Sequence, residues 1–258
     1  MMPGDGAPYH WLTERPIAHR GLHDRSKGVV ENSLSAARAA ACAGYAIECD
    51  VQASADGEVV VFHDETLERL TDGTGRLDAL TRFEIARLTL RGTREGAPTL
   101  RDFLATIGGQ VPLFIEIKSR FDGDLSLARS VAEIVAHYRG LAAIESFDPA
   151  PIAELRAHFD ALGIAGAPLG IVAQASYEGA EWSALSASQR EELTQFSHVE
   201  RTRPDFLSFN VADLPHEIAR RCREERGIPV TTWTVRDTAQ AKAALAFADQ
   251  IVFEGFMP

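Results

Sequence analysis

Acids, bases and fixed cations collect at the ends of short apolar runs in this chain. His19-Arg20 follows "PIA", Glu48 and Asp50 stand in "AIECDV", His63-Asp64 closes "EVVVFHD", and Glu116 and Lys118 end "VPLFIEIK". Residues two apart on an extended chain share a face. Glu48 and Asp50 therefore project together while Cys49 points away, and Glu116 pairs with Lys118 in the same sense. Carboxylates gathered in a confined place resist joint ionisation. A divalent cation relieves that conflict, and an all-oxygen donor set selects a hard ion, Mg²⁺ or Ca²⁺, over structural zinc. His19 and His63 then read as a proton-transfer pair, and Arg20 and Lys118 as anion contacts. That combination suits a phosphoryl substrate.

Elements must exist to bring these groups together. β-favouring runs recur at 16–19, 46–51, 58–64, 111–118, 141–147, 168–174, 205–211, 228–235 and 249–254. Helical stretches fall between most of them, such as "NSLSAARAAACAG", with Asn32 or Ser33 as its cap and Gly44 as its stop, and "LPHEIARRCREERG", ending at Gly227. Such alternation predicts an α/β fold with a parallel sheet. About eight units in 258 residues fit a single-domain (β/α)8 TIM barrel over residues 1–258 better than an open doubly wound sheet. No GxGxxG follows any strand, which also weighs against dinucleotide binding. The segment from 50 to 63 is too short for a helical crossover, but Asp56-Gly57 supplies a tight turn. One crossover, between strands 2 and 3, is therefore expected to lack a helix and to return His63 close to Asp50. The polar region 176–203 reads as a long loop containing a helix.

Composition narrows the function classes. A net charge of −11 repels nucleic acid and anionic membranes at long range, and no apolar run is long enough to span a bilayer. Neither nucleic-acid binding nor stable membrane association is expected. The segment "MMPGDGAPYHWLTERP" has neither the basic start nor the apolar stretch of a secretory signal, so a cytoplasmic protein is expected. Cys42, Cys49 and Cys222 show no CxxC spacing and read as buried, reduced thiols. Nothing identifies a subunit interface, and oligomeric state stays open.

Taken in order, "IAHRG", "ENS", "GYAIECDVQASADGEVVVFHDETLERLTDGTG", "APTLRDFL", "PLFIEIK", "IESFDP" and "VTTWTV" resemble the motifs of the glycerophosphodiester phosphodiesterase family. That family belongs with the PLC-like phosphodiesterase TIM barrels. The resemblance runs from residue 17 to about 236. It implies His19 and His63 as general acid and base, Glu48, Asp50 and Glu116 as ligands of one divalent cation, and Arg20 and Lys118 as phosphate contacts. It also implies Trp233 as the aromatic beside the glycerol moiety. Mg²⁺ or Ca²⁺ is the expected cofactor, with Mn²⁺ a further candidate. The implied reaction is hydrolysis of a small glycerophosphodiester to sn-glycerol 3-phosphate and an alcohol. Which histidine is acid, and whether water or a glycerol hydroxyl attacks, stay open.

Ser33 stands where the family usually has threonine, Arg236 where asparagine is common, and Phe253-Glu254 where a Thr-Asp pair is usual. The last departure questions what the final strand contributes, and it is the one feature that favours a barrel that only binds phosphodiesters. Lysophospholipids, cleaved in a lysophospholipase D reaction, are the alternative substrate class. Lys118 has a structural alternative, as ion-pair partner of Glu116. His10, His23, His137, His158, His198 and His216 lack neighbouring carboxylate clusters in sequence and are expected to be surface or structural.

Overall fold

The computed structural model describes residues 9–258, so the first eight residues of the N-terminal segment considered above lie outside the described residues. Its strands are β1 (Ile17–Ala18), β2 (Ala46–Ala53), β3 (Val59–Val61), β4 (Leu113–Ile117), β5 (Ala142–Ser146), β6 (Leu169–Ala173), β7 (Phe206–Asn210), β8 (Val230–Val235) and β9 (Gln250–Phe253). Eight of them run parallel in the order β1-β2-β4-β5-β6-β7-β8-β9, and β9 pairs back onto β1, closing the barrel. Helices between the strands cover the outside, which lets the strands be apolar on their outward faces too.

One of the nine extended runs, that at 58–64, is not a stave. β3 lies antiparallel on the upper end of β2, with Val51 opposite Val61 and Ala53 opposite Val59. The expected helix-free link is therefore a hairpin rather than a barrel crossover. Its connection is too short to carry the chain back to a parallel position, which takes a dozen or more residues. Phe62 N donates to Asp50 O at 2.9 Å, so the hairpin delivers His63 beside the end of β2. The segment that follows packs around its own apolar cluster, including Val60, Phe62, Leu67, Leu70 and Leu77, before the chain re-enters the barrel at β4.

Local chemistry starts and stops the helices. The Ser33 hydroxyl accepts from Ala36 N at 3.1 Å and begins helix Leu34–Ala43, which Gly44 ends in the left-handed region. Gly21, after His19-Arg20, has φ +80°, and a Cβ there would meet the Ala36 Cβ at 2.8 Å. Only glycine lets the loop leave the strand this close to the helix. The stretch "LPHEIARRCREERG" forms helix Glu217–Arg220 and continues in a π-helical turn, Arg221–Glu225. Cys49 and Cys222 are buried, but Cys42 is exposed on its helix, contrary to expectation, because it falls on the solvent face. Among the described residues, no helix is long and apolar enough to cross a membrane.

The barrel interior is plugged from below. Ile17, Ala46, Phe114, Ala143, Phe206 and Val252 fill its lower layer, and Trp11 and Leu12 close the end. Phe114 and Phe206 meet edge to face at 5.5 Å. Phe206 needs the space beside Gly170, where a Cβ would lie 2.3 Å from its ring. The ring cannot retreat within a closed barrel, so Gly170→Ala is expected to cost about 1–3 kcal/mol through overpacking. Urea unfolding of the two proteins measures this, and equal midpoints would contradict it.

Candidate active site

Above the plug, residues from all eight barrel strands or their ends, joined by His63 after β3, line a cavity of about 230 Å³ at the C-terminal mouth of the barrel. It is lined by His19, Arg20, Glu48, His63, Glu116, Lys118 and Trp233, with Asp50 fully buried beneath. All the residues singled out from the sequence therefore meet at one place. One oxygen each from Glu48, Asp50 and Glu116 come within 4.8 Å of one another. That spread matches the roughly 4–5 Å between opposite ligands of Mg²⁺ or Ca²⁺. Glu48 Oε1 is buried with no hydrogen-bond partner among the described residues, and Asp50 Oδ1 has only its ion pair with Lys118. Oxygens left this way suit a hard cation, so the trio fits a divalent metal.

Burial pushes the Glu48 carboxyl well up, and repulsion from Asp50 and Glu116 adds to it. Burial acts on Asp50 in the same direction, but Lys118, His63 and Arg20 outweigh it and hold that carboxyl well below its usual range. The Lys118 ammonium bridges Asp50 at 2.8 Å and Glu116 at 2.6 Å, the structural ion pair anticipated as its alternative. The Arg20 guanidinium lies 3.3 Å from Asp50, while its backbone N–H donates to Glu48 at 2.9 Å. Trp233 lies in the wall, its indole N–H donating to Ser208 O at 3.1 Å and its ring edge-on to Phe147 at 5.5 Å.

Each lining histidine has a carboxylate behind it. His19 Nδ1 lies 2.9 Å from Glu254 Oε2, and His63 Nδ1 lies 2.8 Å from Asp64 Oδ1. A proton on each Nδ1 would donate to its carboxylate and leave Nε2 as the ring's acceptor. Burial lowers the pKa of His19, against the opposing hydrogen bond with Glu254. Glu254 belongs to the strand end that departs from the family pattern; it supplies the partner of His19 and so gives no support to a binding-only barrel.

Sequence reasoning overlooked four contributors. Glu31 accepts from Arg20 at 2.6 Å and from Arg69 through two bonds of 2.8 Å. Arg69 continues to Asp64 at 2.7 Å, so ion pairs run unbroken from Arg20 to His63. Asn32 donates to Asp50 at 2.8 Å. Glu145, from β5, lines the cavity as a fourth carboxylate, and burial pushes its pKa well up. Alternating position on a buried strand could have flagged Glu145; the others depend on contacts remote in sequence. Among the other histidines, His198 is buried, which lowers its pKa to about 4, and His216 accepts from Ile218 N at the start of its helix. His23 is only half-buried but lies near Arg20 and Glu254, closer to the site than its sequence setting suggests.

These features define a (β/α)8 barrel whose mouth gathers a carboxylate trio that could hold a metal, two carboxylate-backed histidines and two fixed cations. The profile of the Glycerophosphoryl diester phosphodiesterase family matches residues 19–252, and the chain belongs to that family. Glycerophosphodiester phosphodiesterase 1 of Bos taurus is 42% identical over 113 residues, 40% of this chain and 33% of that protein. Glycerophosphodiester phosphodiesterase of Caldanaerobacter subterraneus subsp. tengcongensis is 41% identical over 111 residues, 40% of this chain and 44% of that one. The chain thus spans less than half the length of these curated relatives. Among solved structures, the glycerophosphodiester phosphodiesterase of Thermotoga maritima matches with TM-score 0.69 and 25% identity over 93% of this chain and 94% of its own. An Oleispira antarctica phosphodiesterase solved with its product sn-glycerol-3-phosphate has the same fold, with TM-score 0.73 and 21% identity over 94% and 93% of the two chains.

The ion-pair network has a pH consequence. Burial pushes Glu31 up, but Arg69 and Arg20 prevail and lower its pKa from 4.5 to about 2. A carboxyl with a depressed folded pKa stabilises the protein fully above its unfolded pKa, and that contribution is lost as pH falls toward the folded value. Wild type is expected to lose stability between pH 4.5 and about 2. Glu31→Gln should lower stability at pH 7 and flatten that acid limb in urea titrations; an unchanged slope would contradict the network.

Proposed function

We propose that this protein hydrolyses glycerophosphodiesters to sn-glycerol 3-phosphate and an alcohol in a metal-dependent reaction. The observation that carries the reading is the meeting of two carboxylate-backed histidines with the Glu48, Asp50 and Glu116 cluster in one cavity. Family membership supplies the substrate class.

Arg20 and Lys118 bear on the same cavity and would hold the phosphate and offset charge building on its oxygens. Lys118 reaches that role by leaving its bridge between Asp50 and Glu116, which a metal on those carboxylates would make redundant. A divalent cation held by Glu48, Asp50 and Glu116 would supply Lewis-acid stabilisation of a phosphoryl oxygen. One histidine Nε2 would take the proton of the attacking hydroxyl, and the other would return a proton to the departing alkoxide. Glu254 and Asp64 hold the two rings in the required tautomer, and Trp233 offers a flat apolar wall to the glycerol carbons. The aromatic run from Trp233 through Phe147 to Trp182 favours a second reading, in which an acyl chain lies along it and lysophospholipids are cleaved.

Protein stripped with EDTA is expected to release glycerol 3-phosphate from glycerophosphocholine only after Mg²⁺, Ca²⁺ or Mn²⁺ is restored. His19→Ala and His63→Ala should each lower kcat by about 10²–10⁴-fold. Turnover without metal, or His19→Ala at the wild-type rate, would sink the proposal. Glu254→Ala should lower kcat more than it raises KM, because it frees the His19 ring without removing a substrate contact. Faster turnover of lysophosphatidylcholine than of glycerophosphocholine would favour the second reading.

A further inference from the structure

We propose that Glu145 is a specificity-determining residue that binds the hydroxyls of the glycerol moiety, an inference that rests on the function proposed above. The metal trio and the two cations leave this carboxylate without a task. It stands outside the set whose oxygens approach within 4.8 Å, yet its residue is only 3% exposed and faces the catalytic cavity. Its Oε2 is buried with no hydrogen-bond partner among the described residues. A buried acceptor held at a cavity wall without a donor is a place where a ligand supplies one.

The surroundings indicate which donor. Glu145 sits one inward position above Ala143, which belongs to the plug with Phe114 and Phe206, so it forms part of the cavity floor. Val172, Ser208, Phe147 and Trp233 complete that side, whereas the half-exposed His63 and the exposed Arg236 stand at the mouth. The glycerol half is common to all glycerophosphodiesters while the alcohol varies, so the enclosed floor suits the shared half and the open mouth the variable one. A free carboxylate oxygen in a cavity also lined by Phe147, Trp233 and Ser208 suits a polyol, whose carbons pack on the rings while its hydroxyls donate. Sites that hydrogen-bond a substrate hydroxyl discriminate strongly against analogues lacking it, because a buried polar group is then left unpaired.

The test compares metal-loaded wild type, Glu145→Ala and Glu145→Gln on glycerophosphocholine, its ethylene-glycol analogue and bis(4-nitrophenyl) phosphate. Wild type should prefer glycerophosphocholine over the analogue. Glu145→Ala should lose about tenfold or more kcat/KM on glycerophosphocholine beyond its loss on the nitrophenyl diester. Glu145→Gln, which keeps an oxygen acceptor, should recover most of that difference. Parallel losses on all diesters, or a raised metal requirement in Glu145→Ala, would overturn the inference, as would a loss confined to cationic headgroups. Wild type that cleaves the nitrophenyl diester but no glycerophosphodiester would instead defeat the proposed function. Calorimetric binding of sn-glycerol 3-phosphate then decides for Glu145 separately: weaker binding to Glu145→Ala supports its role, and equal binding removes it.

Discussion

Everything at the mouth of this barrel answers to one electrostatic constraint, the burial of Glu48, Asp50, Glu116 and Glu145 within a single small space. Four carboxylates against the two fixed cations Arg20 and Lys118 leave an acidic excess that water cannot screen. Burial and mutual repulsion raise the proton affinity of Glu48, while Asp50 stays ionised because cations crowd it from several sides. Such a cluster is costly in an apoprotein and favourable around a divalent ion. The aromatic plug beneath fills the lower barrel and confines the cluster to the cavity at the mouth.

Holding this charge demands connections across the chain. The hairpin of β2 and β3 brings His63 to the rim, and the segment after it supplies Arg69, which grips both Glu31 and Asp64. Loop residues after β1 and residues after β3 are thereby tied into one unit, so Arg20 and His63 cannot drift independently. On the other flank, Glu254 at the end of β9 orients His19. Barrel closure is what makes this contact available, because β9 must return beside β1 for a residue so distant in sequence to reach it.

Much of the fold was legible in local pattern. Alternating apolar runs and capped helices announced the barrel, and residues two apart in "IECDV" and "FIEIK" announced the carboxylate cluster. The extra strand was legible as a turn but not as an appendage, since an apolar run carries no label for the neighbour it pairs with. Glu145 escaped notice for a different reason. Its alternating position in "AIES" was a signal, but only the sheet register sets its carboxylate directly across from Glu116.

By itself the sequence determined the class of fold, the types of group available for chemistry and the faces on which those groups stand, because periodicity and capping act over a few residues. Only the tertiary structure decided the distant partners: Glu254 with His19, Arg69 with Glu31 and Asp64, and Lys118 with Asp50. An ion pair depends on the distance between two side chains in space. That distance follows from the closure and register of the whole barrel, which no local stretch encodes.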